Sequence, residues 1–322
     1  MHYSDFGLVN TREMFKKAYT GGYAVPAFNF VCLEQLLAIV DACMETKSPF
    51  IVQASANVLN DIGIHMVIRM VQACTERMRS EDCALPMALN LDHGLRYEDC
   101  VNCIDHGFSS VMIDGSALSF EENVTLTKRV VDYARPHDVC VEGELGTLSG
   151  IEDEVRHTNS HFTDPDMVND FVRRTGVDSL AISIGTSHGL VKSKAAPDGS
   201  IPDLRFDILE AVEKKLPDFP IVLHGASEIP DRFVSMINEH GGMISLAQGI
   251  PPTQVKKAAA MSVCKVNVAS DGWIAMTATT RKVLDENKGS IDPRRFLGES
   301  RKEMRRMYIY KISEVLGSAG KA

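Results

Sequence analysis

The stretch "MALNLDHGLRYEDCVNCIDHG", residues 87–107, contains one complete strand-to-helix unit, and the reading of the whole chain grows from it. Its first part, "MALNLDH", is a short apolar run closing on Asp92-His93-Gly94, and a run of that length bounded by a turn signal reads as a buried strand. Its second part, "YEDCVNCI", has helical spacing and closes on a second copy of the tripeptide, Asp105-His106-Gly107. Gly107 reads as the residue just past the helix end, with His106 against the negative end of the helix dipole, a structural role. Only the first copy stands at a strand end.

Seven further runs repeat the pattern: 23–30, 50–55, 110–116, 139–146, 180–189, 221–227 and 264–270. Helical segments lie between them, among them "FEENVTLTKRVVDYA" (120–134), "DMVNDFVRRTG" (166–176) and "PDRFVSMINEHG" (230–241). Eight strand-helix units with no linker or low-complexity tract predict a (β/α)8 TIM barrel as a single domain over 1–322, with an open doubly wound sheet as the alternative. The tail from Asp292 onward predicts an extra C-terminal helical segment, packed across the barrel or on a neighbouring subunit. The stretches 147–164 and 190–205 exceed ordinary connections and read as lid loops.

The 322 residues carry a formal charge of -9 without a Lys/Arg-rich run, which argues against a nucleic-acid partner or an anionic membrane surface. No apolar run approaches the roughly 20 residues that span a bilayer, and the N-terminus lacks a signal-peptide layout. A soluble cytoplasmic protein is the expectation, its eight cysteines reduced and mostly in the core. Cys100 and Cys103 have metal-binding spacing, but no second pair follows, so they read as helix-face residues.

In a barrel, chemistry gathers at the C-terminal ends of the strands. His93, His188 and His224 each precede a glycine there, after the third, sixth and seventh runs. Three such histidines can converge on one metal and leave a position open for substrate. Asp92, next to His93, is a candidate acid/base, although strict strand alternation would turn the two to opposite faces. Glu144 ends the fifth run, and Glu152 and Asp153 follow on the first lid loop as candidates for a proton shuttle. "SHG" (187–189), "HGAS" (224–227) and "NVAS" (267–270) place small polar residues beside glycine or at a strand end, a pattern suited to an anion such as phosphate.

These motifs, together with "GFSSVMIDGSALSFEENV", "VEGELGTLSGIED" and "IGTSHG", closely resemble the class II, metal-dependent fructose-1,6-bisphosphate aldolases, in their shorter bacterial and protist subgroup. The resemblance runs over nearly the whole chain. It implies a lyase acting on a small phosphorylated sugar, with Zn2+ or another divalent metal, room for a monovalent cation, and assembly as a homodimer or higher oligomer. It also implies that His93, His188 and His224 bind zinc, with Glu144 near an alternative metal position. Asp92 would be the acid/base, Glu152 would exchange the carbon-bound proton, and Asn267 would lie close to the enediolate. Ser55, Gly189, Lys192, Gly225, Ser227, Asn267 and Ser270 would line the pocket and hold the dihydroxyacetone phosphate half.

The chain departs from the subgroup's N-V-D-S-D-x-R segment, reading "NVASDGW" with Ala269 for Asp and Trp273 for Arg. Ala269, Asp271, Trp273 and Asp292 are therefore the residues assigned to the distal end of the substrate. Losing an arginine removes a charge-assisted phosphate contact, so tagatose 1,6-bisphosphate or a ketose with only a 1-phosphate are the alternative substrates. Ser149 stands where the subgroup commonly has Gly, and Asp292 matches a position that reaches a neighbouring subunit's site. Rival readings are a Schiff-base aldolase using Lys265, a barrel metallohydrolase, which would want a His-x-His in the first run, and a metal-binding scaffold.

Overall fold

The computed structural model describes residues 1–148, 161–191 and 202–322, and the backbone alone of 150–152 and 155–157. Each of the eight apolar runs supplies one parallel strand: β1 Val25–Asn29, β2 Phe50–Ser55, β3 Met87–Gly94, β4 Ser110–Ile113, β5 Cys140–Leu145, β8 Ser179–Ile182, β9 Ile221–Leu223 and β10 Val263–Val268. Between β5 and β8 a small antiparallel pair intervenes, β6 Gly150–Glu152 and β7 Val155–His157. The eight parallel strands close into a barrel, β10 returning to β1 through the pairs Val25 with Lys265 to Phe28 with Val268. Closure removes the open doubly wound sheet. The run 147–164, expected as a lid loop, carries the β6–β7 hairpin, and the backbones of Thr147 and His161 bridge at its base.

The covering helices start where their sequences provide caps. Ser119 and Glu122 cap Phe120–Ala134 reciprocally, the Glu122 carboxylate accepting from the Ser119 N–H at 3.0 Å. Asp164 caps Pro165–Thr175, with proline in the first turn, where its missing N–H costs nothing. Helix Tyr97–Asp105 buries Cys100 and Cys103 and ends at His106, whose Nδ1 meets the Asn102 carbonyl at 2.7 Å. All eight cysteines are free thiols, and seven of them are buried; Cys32 alone is partly exposed.

Inside the barrel, the end nearest the strand N-termini is apolar. Met14 and Phe15 of helix Arg12–Gly21 cluster with Val25, Ala27, Ile51, Ala88 and Cys264, closing that end. The C-terminal helix Pro293–Tyr310 continues into a π-helical turn, Lys311–Leu316, and packs on the chain's own helices Leu33–Thr46 and Ser270–Glu286. Arg301 pairs with Asp41, the wholly buried Tyr308 lies ring against ring with Phe28 at 4.6 Å, and the Ala24 N–H bonds the Leu316 carbonyl. The two routes that the sequence leaves open for the tail thus resolve onto its own barrel.

Candidate active site

The pairing of β3 with β4 steps from Leu91 to Gly94, so Asp92 and His93 occupy a bulge, and His93 takes a left-handed φ of +48°. A bulge breaks the alternation that would part neighbouring side chains. Asp92, His93 and His224 consequently bring ligand atoms within 4.8 Å of one another. The sharp turn is made at His93, not at Gly94 as the tripeptide suggests. Gly94 is required for another reason: a Cβ there would sit 2.9 Å from the Met112 carbonyl of β4.

Below this cluster the barrel interior is polar and continuously hydrogen-bonded. Asn90 donates to Gln53, and Gln53 to Asn29, each at 2.9 Å. Asn29 donates to one oxygen of Asp92 at 2.6 Å and Asn267 to the other at 2.9 Å. Asn267 also lies 3.0 Å from Nδ1 of His224, while Nε2 of His224 meets Glu142 at 2.7 Å, and Lys265 donates to the same carboxylate at 2.7 Å. Burial would raise the Glu142 carboxyl, but the Lys265 charge and the His224 bond outweigh it and hold it down at about 2.

These bonds fix the imidazoles. His224 gives Nε2–H to Glu142, and His93 gives Nδ1–H to Asp114 at 3.1 Å. The remaining nitrogens, Nε2 of His93 and Nδ1 of His224, face each other at 3.0 Å, hydrogen-bonded here and turned to the one point where a cation that displaces the shared proton would meet both. Carboxylates fixing the outer nitrogens of two converging histidines are the usual surroundings of a bound metal. The field agrees. Burial works against a charged His93, yet Asp114, Asp92 and Glu144 raise it to about 10, which makes this a place that favours positive charge. A second set, His93, Asp114 and Glu144, also brings donor atoms within 4.8 Å. Burial and the neighbouring Asp114 push Glu144 well above the carboxylate range, and its Oε2, 3.8 Å from Nδ1 of His93, has no hydrogen-bond partner among the described residues. The donor set of imidazoles and carboxylates therefore fits a divalent cation.

His188 lies beyond β8, 9% exposed, its ring 5.2 Å from that of His93 and 6.5 Å from that of His224. Ser55 ends β2, paired in register with Asp92. Gly225 has φ +65°, and a Cβ on it would meet the Ser187 carbonyl at 2.7 Å, so the turns after β8 and β9 touch through this glycine. Gly189 is also left-handed, at φ +86°. Ser227 is buried after β9, and Ser270 opens the helix that follows β10. Ala269 and Trp273 flank that helix start, with the indole 39% exposed.

One distal assignment changes. Asp271 does not face a ligand: it is wholly buried, accepting from the Glu228 and Ile229 N–H groups and pairing with Lys311. Asp292 caps its own helix and pairs with Arg294. Lys192, Ser149 and Asp153 lie outside the described residues, as does the side chain of Glu152.

Asn29, Gln53, Asn90, Glu142 and Asp114 are site residues that sequence reasoning missed. A signal existed, because Gln53, Asn90, Glu142 and Lys265 each stand two positions before Ser55, Asp92, Glu144 and Asn267, on the same inward face. Lys265 is 1% exposed and paired with the buried Glu142 at 2.7 Å, a structural partner of that carboxylate and not a free Schiff-base amine.

A closed parallel barrel with converging histidines and a hydrogen-bonded carboxylate at its C-terminal mouth defines a metal-dependent barrel enzyme. Residues 9–321 match the family described as Fructose-bisphosphate aldolase class-II. A fructose-bisphosphate aldolase of Treponema pallidum is 50% identical over 99% of both chains, and one of Giardia intestinalis is 41% identical over 98% of this chain and 94% of that one. Among solved structures, the YdjI aldolase of Escherichia coli K12 superposes with a TM-score of 0.74 at 29% identity, covering 98% of this chain and 99% of that one. The chain belongs to the class II fructose-bisphosphate aldolase family and is an aldehyde-lyase.

Proposed function

We propose that this enzyme reversibly cleaves fructose 1,6-bisphosphate to dihydroxyacetone phosphate and an aldehyde phosphate. The observation that carries the reading is Asp92, with both oxygens held by Asn29 and Asn267 beside the facing nitrogens of His93 and His224. An ionised carboxylate has about four acceptor sites, so two fixed N–H bonds orient it and leave lone pairs for a substrate hydroxyl. Asp92 removes the hydroxyl proton next to the bond that breaks, and the bonding electrons pass to the three-carbon fragment.

His93, His188 and His224 would hold a zinc ion, with Asp114 and Glu144 as a second position for the cation. Bound there, zinc supplies Lewis-acid stabilisation of the negative charge left by cleavage. The buried Oδ1 of Asn267 has no hydrogen-bond partner among the described residues and suits a hydroxyl of the same fragment. Glu152, on β6, is assigned the proton exchange at carbon by resemblance. Gly189, Lys192, Gly225, Ser227 and Ser270 hold the phosphate of that half, with Ser55 beside them. Ala269 and Trp273 face the far end, and Asp292 reaches across a homodimer. No helix among the described residues is long and apolar enough to cross a membrane; we place the enzyme in the cytoplasm.

The test is turnover of zinc-reconstituted protein on fructose 1,6-bisphosphate, tagatose 1,6-bisphosphate and fructose 1-phosphate, with and without chelator, following released dihydroxyacetone phosphate. Chelator-sensitive cleavage of fructose 1,6-bisphosphate at about 10⁴ M⁻¹s⁻¹ or better is expected, ahead of the other two. A preference for either alternative would overturn the substrate assignment, and activity indifferent to chelation would overturn the metal.

A further inference from the structure

The loop after β9 carries His224, Gly225 and Ser227, and its far end is held by a contact that has no part in the chemistry. Asp271 is wholly buried in the first turn of helix Ser270–Glu286. Its Oδ1 accepts from the Ile229 N–H at 2.7 Å and its Oδ2 from the Glu228 N–H at 3.1 Å. Ile229 has φ +50°, a left-handed conformation that a β-branched residue rarely adopts, so the surroundings must impose it. Lys311, 3% exposed, donates to Glu228 at 2.7 Å and lies 2.9 Å from Asp271. It stands where the C-terminal α-helix passes into its π-helical turn, a feature that often marks functional positions. The rest of the loop is held by its neighbours: Gly225 against Ser187, and the Ser227 carbonyl by the Ile250 N–H at 3.0 Å.

We propose that Asp271 and Lys311 are positioning residues, through which the C-terminal helix fixes the loop 224–229 in the shape that receives the substrate phosphate. The proposal rests on the assignment of Gly225 and Ser227 to that phosphate. Asp271 supplies two acceptors to N–H groups that the strained turn directs inward, and Lys311 neutralises the buried carboxylate. The last helix of the chain is thereby joined to the pocket mouth without touching substrate.

The experiment compares Asp271→Asn, Lys311→Met, Lys311→Arg and Ser227→Ala in the full-length zinc-loaded enzyme, reading calorimetric affinity for dihydroxyacetone phosphate and hydrogen exchange of peptides spanning 224–230. Asp271→Asn and Lys311→Met should each weaken affinity about tenfold or more, the scale of a charge-assisted hydrogen bond, and speed exchange within that segment. Lys311→Arg, which keeps the charge, should restore exchange and most of the affinity. Full affinity with unchanged exchange in both Asp271→Asn and Lys311→Met, while Ser227→Ala loses binding, would overturn the tether alone. Wild-type binding by Ser227→Ala would instead overturn the phosphate assignment on which the proposal rests.

Discussion

The two ends of the barrel interior are built from the same strands and use opposite chemistry. Toward the strand N-termini, Val25, Ile51, Ala88 and Cys264 enclose Met14 and Phe15 in an apolar plug. Toward the C-termini, inward positions carry Asn29, Gln53, Asn90, Asp92, Glu142, Lys265 and Asn267, joined by hydrogen bonds from end to end. The plug contributes stability through area removed from water. The polar end adds little net stability, since buried charges lose hydration and each bond replaces one to water, but it fixes atoms in place. One interior thus divides into a part that folds the enzyme and a part that orients its groups.

The sharpest way to break this division is Asp92→Ala. It should lower kcat by about 10²–10⁴ while leaving the thermal midpoint near wild type, and loss of the fold in step with activity would contradict it. Phe15→Ala is the converse. It should cost about 3–5 kcal/mol in denaturant unfolding with kcat unchanged below the transition, and a variant equally stable but inactive would show that the plug shapes the site. Glu142→Gln probes the boundary between the two regions. Losing the carboxylate that fixes His224 should weaken zinc affinity about 10–100-fold in a competition titration, and undiminished affinity would show that Lys265 and Asn267 suffice to orient the ring.

The fold was legible because all eight strands are buried runs of three to eight residues bounded by turn residues, and burial on both faces leaves a continuous apolar signature. The convergence of His93 and His224 was legible because each closes a strand at the C-terminal mouth, where the ends of the barrel strands come together. The bulge at Asp92–His93 was not, because a local register shift arises from pairing with β4 and leaves no mark in the composition of β3. Asp271 was misread because it lies two residues from both Ala269 and Trp273. In a helix each residue turns by about 100°, so a neighbour in sequence can face the opposite way. The interior polar residues were passed over because a Gln or Asn inside an apolar run looks like an imperfect strand; period-two counting from the strand end puts them beneath the site.

The distribution of thiols has a practical consequence. Burial pushes Cys74 and Cys140 up to about 11 and Cys264 up to about 12, which leaves almost no thiolate at neutral pH. Cys32, three residues beyond Asn29, is the most accessible of the eight, although partial burial raises its thiol as well. The wild-type chain therefore has one favoured attachment point, just after its first strand, where a fluorophore is coupled with the other seven cysteines left in place.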